Sequence, residues 1–340
     1  MRDDALLFEI AKLHFEQGLS QAQVAEVKGM SRVKVNRLLQ AARDRGIVRV
    51  LVVPRLGHAY LRAIEDELKA AYQLRDVLLV PGREEIHEER LDLNTQEAIV
   101  ERLAYVAADY LDRYLTNDDV LCINWGRVMR SVVDHLRPSR TLLTLTVLPL
   151  LGSLSAQPEP FEANVLAQEI ATAYGADFNW LIAPAIVRDP DQKRVAMELP
   201  LVKDTLAQIY KATMAITAIA PADPVDATVV KRGWLTSEEV SSLIERGAIG
   251  EICSWWFDEQ GNEVLDEKIY PMGLGLAGLK RMVTEDKQVI AVVGADRARF
   301  EAIYAALIGK IVNVLITDHI TAQYLIRRHS DPTLTPNSPV

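Results

Sequence analysis

The stretch QAQVAEVKGMSRVKVNRLL, residues 21–39, decides how the chain begins. Ser20 precedes it and is a favourable N-cap, with a glutamine three residues later as in a capping box. Ala25 is small enough for two helices to approach closely, and Gly29 stands where a tight turn needs a positive φ. Ser31 then caps another helix. The spacing predicts two helices joined by a short turn, as in a helix-turn-helix.

A first helical segment, from about Asp4 to Gln17, precedes this pair. In the last helix Val35 and Leu38 supply the core contacts. The polar side chains near the start of this helix point away from the core. They are available to contact DNA, because the second helix of a helix-turn-helix lies in the major groove. We predict DNA contacts for Ser31, Arg32, Lys34, Asn36 and Arg37. Arginine can pair with guanine and asparagine with adenine, but either side chain can also bind phosphate. The sequence therefore does not separate the residues that contact bases from those that contact phosphates.

The charge of the chain is unevenly distributed. Its net charge is −9, yet residues 1–53 hold nine basic and six acidic residues, a net of +3. Residues 31–55 contain seven basic residues and one acid. A basic segment on an acidic protein indicates a small DNA-binding module joined to a larger domain. The alternative is a helical hairpin that only packs, with a solvated charged face.

The composition is that of an ordinary globular protein, with 49 % hydrophobic and 25 % charged residues. Two cysteines, Cys122 and Cys253, form neither a disulfide framework nor a zinc motif. No apolar run is long enough to span a membrane, and the acidic start MRDD argues against a signal peptide. We therefore expect a cytoplasmic protein with no metal and no cofactor.

The remaining chain alternates apolar strands with amphipathic helices, which predicts an α/β fold with a doubly wound, mostly parallel sheet covered on both faces. The predicted strands are 76–80, 120–123, 143–149, 180–183, 214–219, 289–293 and 313–317. The predicted helices are 60–71, 94–114, 127–136, 162–174, 203–212, 236–246, 297–308 and 321–327. A short β segment over 47–53, just before, is predicted to form a wing or lead into this domain.

Three predicted strands end in glycine-bearing turns, at Gly126, Gly152 and Gly294. Ligands of such sheets bind beyond the carboxyl ends of the strands, where helix N-termini attract anions. The turns favour a small polar or phosphorylated ligand. The alternative is that each glycine only allows the backbone to turn and binds nothing. The aromatic run 255–257 is predicted to pack in the core or an interface rather than stack on a ligand.

Several stretches together resemble the sorbitol-operon (SorC) type family of sugar-binding bacterial transcriptional regulators. The matching blocks cover nearly the whole chain and keep the family's order and spacing: residues 18–50, INWGRVM, VLPLLGS, residues 162–187, GAIGEICSWWFDEQGNEV and residues 289–326. The resemblance implies a sugar-isomerase-like effector domain without isomerase activity. It also implies repression of a carbohydrate or polyol operon by a homodimer or homotetramer on operator DNA, controlled by a small sugar, sugar phosphate or polyol.

The matched motifs imply an effector site lined by Trp125, Gly126, Arg127, Gly152, Glu162, Asn164, Glu251, Arg299 and Asp318. The chain departs from the family pattern at Val128, where a threonine is common, at Arg299, where a lysine is usual, and at the acid Glu162. These departures leave two alternatives to the family's usual phosphate: an unphosphorylated polyol or a phosphate in another orientation. The alternative function is a sugar-phosphate isomerase or deaminase with an accessory helix-turn-helix.

These arguments divide the chain into a winged helix-turn-helix domain, a linker, an effector domain and a disordered tail. We predict their bounds as residues 1–53, 54–59, 60–329 and 330–340.

Overall fold

A computed structural model describes residues 2–48, 58–82, 93–153 and 159–336. The chain divides into two compact units, Met1–Arg55 and Leu56–Val340. None of the helices within these described ranges is long and apolar enough to cross a bilayer.

The first unit is built from helices α1 (Arg2–Ala11), which continues as a π-helical turn over Lys12–Glu16, α2 (Gln21–Val27) and α3 (Arg32–Asp44). The predicted caps are confirmed: Ser20 and Gln23 form a capping box, and the Ser31 side chain accepts from the Lys34 N–H. Gly29 has a φ of +61°, as the predicted turn requires. Leu7, Ile10, Val24, Val35 and Leu39 form the core.

The predicted β segment at 47–53 is described only at its start. Ile47 and Val48 lie in no strand and pack against the core of the first unit. Residues 49–53 and most of the predicted linker lie outside the described residues, and the next helix begins at His58.

The second unit contains strands and helices in alternation. Its strands are β1 (Asp76–Val80), β2 (Val120–Ile123), β3 (Thr146–Pro149), β4 (Asp177–Phe178), β5 (Ile186–Val187), β6 (Met214–Thr217), β7 (Ala220–Pro221), β8 (Gly250–Ile252), β9 (Trp255–Phe257), β10 (Tyr270–Pro271), β11 (Gln288–Val292) and β12 (Val314–Asp318). Its helices are α4 (His58–Tyr72), α5 (Leu93–Tyr114), α6 (Arg127–His135), α7 (Ala163–Tyr174), α8 (Pro190–Glu198), α9 (Pro200–Ile209), α10 (Thr228–Lys231), α11 (Ser237–Glu245), α12 (Gly275–Thr284), α13 (Phe300–Ile308) and α14 (His319–Ser330). A 3-10 turn at Arg297–Arg299 precedes α13.

Within the described ranges, seven parallel strands form the central sheet in the order β1-β12-β11-β6-β2-β3-β4. Side chains of successive strand residues point to opposite faces of the sheet, and each face packs against its own layer of helices. Leu121 and Ile123 of β2 pack with α5, α6 and α7, whereas Cys122 packs on the face covered by α4, α9, α12, α13 and α14. Burial on both faces explains why the strands are apolar throughout. The predicted α/β, doubly wound architecture is confirmed.

Some predicted elements were wrong in place or kind. Residues 180–183 form no strand; β4 ends at Phe178, and Leu181 is held in a loop by the Asn164 side chain. The predicted strand 143–149 begins only at Thr146, because the chain first turns, with Leu145 N–H donating to the Leu142 carbonyl. Helix α12 was missed because Gly275 and Gly278 interrupt its helical pattern.

The last described residues of the chain follow α14 and contact the second unit. Ser330 is the last residue of α14, and Leu334 packs against the core of the second unit. The Leu334 N–H donates to the Asp331 carbonyl at 3.1 Å. Residues 337–340 lie outside the described residues.

Candidate functional site

Helix α3 turns one face to its own unit and the other to solvent. Val35, Leu39 and Ala42 are buried on the inner face. The predicted DNA-binding side chains are exposed: Ser31, Arg32, Lys34, Asn36 and Arg37. Ser31 is committed to capping, because its hydroxyl accepts the Lys34 N–H at 3.2 Å. The Gln21 amide donates to Asn36 Oδ1 at 3.5 Å, which links α2 to the exposed face of α3.

The second candidate site lies where the order of the central sheet reverses. From β2 the chain proceeds to β3 and β4 on one side, while β6, β11 and β12 follow on the other side. The connections that leave β2 and β6 therefore diverge beyond the carboxyl ends of these two strands. In open α/β sheets this is the position where ligands bind. We call it the switch-point crevice, and define it by Trp125, Thr217 and Glu251.

The turn that follows β2 forms one wall of the crevice. Asn124 is buried and donates from Nδ2 to Thr217 Oγ1 at 2.9 Å, so it joins β2 to β6 at their carboxyl ends. Trp125 is buried, and its ring meets Trp234 edge-on at 5.2 Å between centroids. Gly126 is the N-cap of α6 at a φ of +116°, a conformation that favours glycine. Arg127 opens the helix and is exposed.

Glu251 reaches the crevice through a small antiparallel sheet. Strand β7 follows β6 almost directly, and its Ala220 pairs with Glu251 of β8. The residue is 9 % exposed, and its Oε2 accepts the Ser254 N–H at 2.7 Å. Burial raises the pKa of Glu251 to about 7, while the Ser254 N–H and the charge of Arg299 act in the opposite direction. The group is therefore poised between its neutral and charged forms near neutral pH.

Arg299 brings the positive charge that faces this acid. Its Nη1 donates to the Ile219 carbonyl at 2.8 Å, which holds the guanidinium next to the β6–β7 connection. Burial lowers the pKa of Arg299, and the positive charge of Arg127 lowers it further. The negative charges of Asp296 and Glu251 act in the opposite direction and raise it. These mutual influences place two arginines and one buried carboxyl group in one electrostatic cluster.

Asp318 is the last residue of β12, and its carboxylate has no acceptor position left for a ligand. Its Oδ1 accepts the N–H groups of Ile320 and Thr321, both at 3.0 Å. Its Oδ2 accepts the Ala295 N–H at 2.8 Å and the Thr321 hydroxyl at 2.7 Å. A carboxylate offers about four acceptor positions. Asp318 thus holds the turn after β11 and caps α14.

Gly152, Glu162 and Asn164 lie on the β3 side. A Cβ at Gly152 would overlap the carbonyl oxygens of Ala183 and Pro184, so the glycine permits a close approach of two loops. Asn164 accepts the Leu181 N–H at 3.0 Å and donates to Ser153 Oγ at 3.0 Å, which are structural contacts. Glu162 is 2 % exposed and occupies the N-cap position of α7 without a side-chain capping bond.

The structure thus brings together Trp125, Gly126, Arg127, Glu251 and Arg299 at the crevice, and gives Gly152, Asn164 and Asp318 supporting contacts. Sequence reasoning missed the hairpin tip beside Glu251. Cys253 and Ser254 both have positive φ, +55° and +64°, with no glycine to signal the turn. Ser254 is fully buried, and its hydroxyl has no hydrogen-bond partner among the described residues. Such strained positions concentrate at functional sites.

The aromatic run lies in β9 and is buried, as predicted for core packing. Within the part of the chain that the structure describes, no three His, Cys, Asp or Glu side chains are grouped so as to hold a metal ion.

Comparison with known proteins gives a consistent result over nearly the whole chain. A family profile described as "Putative sugar-binding domain" matches residues 59–327. The chain is 28 % identical over 320 residues to the Escherichia coli K12 transcriptional regulator YjhU, covering 92 % of each protein. It is 26 % identical to the deoxyribonucleoside regulator of Bacillus subtilis, covering 94 % of this chain and 97 % of the other.

A solved structure shows the same fold. The full-length sorbitol operon regulator SorC of Klebsiella pneumoniae superposes with a TM-score of 0.67 at 25 % identity, covering 96 % of this chain and 100 % of that one.

Proposed function

This chain belongs to the SorC family of sugar-binding transcriptional regulators, and from that premise we propose that it binds operator DNA through α2 and α3 under the control of a small effector. The effector would be a sugar, sugar phosphate or polyol that enters the switch-point crevice. Binding to chromosomal DNA would place the protein in the cytoplasm. We further propose that it represses a carbohydrate or polyol operon until the effector releases it.

The observation that carries this proposal is the pairing of a buried carboxyl group, Glu251, with Arg299 and Arg127 at the switch point. A carboxylate accepts hydrogen bonds from sugar hydroxyls, and arginine binds an anionic group in a forked geometry. The N-terminus of α6 adds backbone N–H groups and the positive end of a helix dipole. A small molecule with several hydroxyls and one acidic group fits this set of donors and acceptors.

Residue 128 bears on whether that acidic group is a phosphate. Val128 follows the turn and packs partly buried against the core, so this position offers no hydroxyl donor. Arg127 and Arg299 are close enough to influence each other electrostatically, so the site keeps positive charge without that donor. Both a sugar phosphate and an unphosphorylated polyol therefore remain in the proposal, and the experiment below separates them.

Control of DNA binding requires that the effector prefer one arrangement of subunits over another. We propose a homodimer or homotetramer, because paired helix-turn-helix modules on a two-fold operator need an even number of copies. Effector binding would alter subunit packing and hence the distance between paired α3 helices.

One observation favours an enzyme as a second candidate function. A buried carboxyl group with a pKa of about 7 in a ligand crevice has the properties of a general acid or base in sugar-phosphate isomerisation or deamination. The relatives named above are transcriptional regulators, which argues for the first candidate. Turnover of common sugar phosphates that disappears in Glu251→Gln would establish the enzyme.

The test of the regulator is DNA binding by the full chain, measured by fluorescence polarisation at fixed salt on a duplex from upstream of its own gene. Polyols and their monophosphates are added as matched pairs, such as sorbitol and sorbitol 6-phosphate. We expect tight, salt-sensitive binding that one compound of the panel weakens at least tenfold. Binding no stronger than to a random duplex, under every compound, would contradict the proposal.

A further inference from the structure

The outer face of α3 carries an exposed hydrophobic residue that its own unit does not use. Val33, the second residue of α3, is 72 % exposed, whereas Val35 and Leu39 of the same helix are buried and Leu38 is partly buried against the core. Valine is a weaker helix former than alanine or the long polar residues, and the first turn of a helix favours acidic side chains. Neither packing nor helix stability explains valine at this position.

Helix geometry shows what surrounds Val33. Successive residues of an α-helix are rotated by about 100°, so Val33 points about 160° away from the buried Val35. Residues three, four and seven positions further on share that direction. The outward stripe of α3 therefore consists of four exposed residues, Val33, Asn36, Arg37 and Gln40.

The flanking charges lie on the two sides of this stripe. Arg32 and Lys34 point about 100° to either side of Val33, and both are exposed. When a helix lies in the major groove, its outermost stripe faces the base edges and its flanks face the two sugar-phosphate backbones. The helix geometry therefore divides the predicted DNA contacts into two sets. Arg32 and Lys34 face the phosphates, and the outward stripe faces the bases.

We propose that Val33 is a specificity-determining residue whose methyl groups contact the C5-methyl of a thymine in the operator. The inference rests on the proposed DNA binding. Thymine is the base that presents an apolar group in the major groove, and apolar side chains recognise it by contact. Asn36, whose carbonyl oxygen is held by Gln21, and Arg37 lie one helical turn further along the stripe and would read neighbouring bases by hydrogen bonds.

The experiment removes one methyl group at a time from the DNA. An operator is first selected from random duplexes by the full wild-type chain, and each thymine is then replaced singly by uracil, which lacks only the C5-methyl. Dissociation constants are measured for the wild type, for Val33→Ala and for Val195→Ala. Val195 is the matched control, because it is also an exposed helical valine, at 56 %, but it lies in α8 of the second unit and in neither α2 nor α3.

We expect one thymine in each half of the operator at which uracil weakens wild-type binding about fourfold, the effect of one buried carbon group. Val33→Ala should abolish this sensitivity at that thymine alone, with the salt dependence of binding unchanged because no phosphate contact is lost. Val195→Ala should keep the wild-type profile. Because Val33 is exposed, thermal unfolding of the variant should match the wild type.

Two results would overturn the inference. If Val33→Ala binds specifically and keeps the uracil profile of the wild type, Val33 contacts no thymine methyl, while the proposed DNA-binding function stands. If the random pool yields no sequence that the wild type prefers, both the inference and the proposed function fail.

Discussion

The backbone N–H of Ala295 donates to Oδ2 of Asp318 at 2.8 Å, so the turn after β11 is held by the last residue of β12. The same carboxylate caps α14 through the N–H groups of Ile320 and Thr321. One buried acid thus fixes the carboxyl ends of two neighbouring strands and the start of a helix. Glycine at Gly82 and Gly294 leaves room for it, because a Cβ at either position would contact its oxygens.

Replacing Asp318 by alanine should destabilise the second unit by about 3 kcal/mol, because several buried N–H groups lose a charged acceptor. The matched control is Asp331→Ala, which removes an exposed carboxylate that accepts from Thr333 and should cost less than about 0.5 kcal/mol. Urea unfolding followed by tryptophan fluorescence measures this unit alone, since every tryptophan follows residue 124. Equal midpoints for the two variants would show that Asp318 is not structurally central.

Glu251 predicts a specific dependence of stability on pH. Burial raises its pKa from 4.5 to about 7, so the folded state binds the proton more tightly than the unfolded state. The stabilisation is complete below the unfolded pKa and is lost as the pH rises through about 7. Glu251→Gln should therefore be as stable as the wild type near pH 4 and more stable by roughly 3 kcal/mol at pH 8.5.

The measurement for Glu251 is the difference in unfolding free energy between the wild type and Glu251→Gln, determined in urea at closely spaced pH values without effector. Glu263→Gln serves as the control, because Glu263 also has a raised pKa but is exposed, and the charges that act on it are those of Lys193 and Lys280. If the difference between the wild type and Glu251→Gln stays constant from pH 5 to 8.5, the carboxyl group is not buried and protonated as described.

Gly126 should matter for the effector response beyond its effect on stability. Alanine at a φ of +116° is strained by about 1–3 kcal/mol, and a Cβ there would meet no other atom within 4 Å. The cost is therefore conformational, and it falls on the N-terminus of α6. Gly247→Ala is matched, with a φ of +99° and equally open surroundings.

Both glycine variants should lower the thermal unfolding midpoint by a few degrees. Gly126→Ala alone should shift the effector concentration that changes DNA binding, by about tenfold or more. An identical shift in both variants would mean that the α6 turn does not contact the effector.

Because the flanks of α3 are assigned to phosphates and its outward stripe to bases, substitutions in the two sets should give two kinds of DNA-binding defect. Lys34→Ala should weaken binding to specific and random duplexes alike and reduce the slope of log affinity against log salt by about 0.9. Arg37→Ala should weaken specific binding by about 1–3 kcal/mol and relax base preference at one position. Lys203→Ala, an exposed residue paired with Glu198 in the second unit, controls for the change in net charge. A salt slope that falls equally in Lys34→Ala and Lys203→Ala would remove Lys34 from the phosphate contacts.

The sequence by itself determined those features that depend on neighbours in the chain. The capping residues Ser20 and Ser31, the glycine turn at Gly29 and the apolar spacing of α3 are local, and the structure shows each where it was predicted. The strands 76–80 and 120–123 were found to the residue, because helices cover both faces of the sheet and their strands are therefore runs of mainly apolar residues. The matched family motifs also predicted Trp125, Glu251 and Arg299 as members of one effector site, and their role in binding an effector stays a prediction.

Tertiary structure alone decided what each of those side chains can do. Glu162, Glu251 and Asp318 are all buried acids, yet Asp318 has every acceptor position filled by N–H and hydroxyl donors, whereas Glu251 accepts one backbone N–H. The partners of Asp318 at Ala295 and of Asn164 at Leu181 come from distant parts of the chain. The acidity of a buried carboxyl group and its remaining acceptor positions depend on donors and burial that only the assembled fold provides, and no spacing in the sequence encodes them.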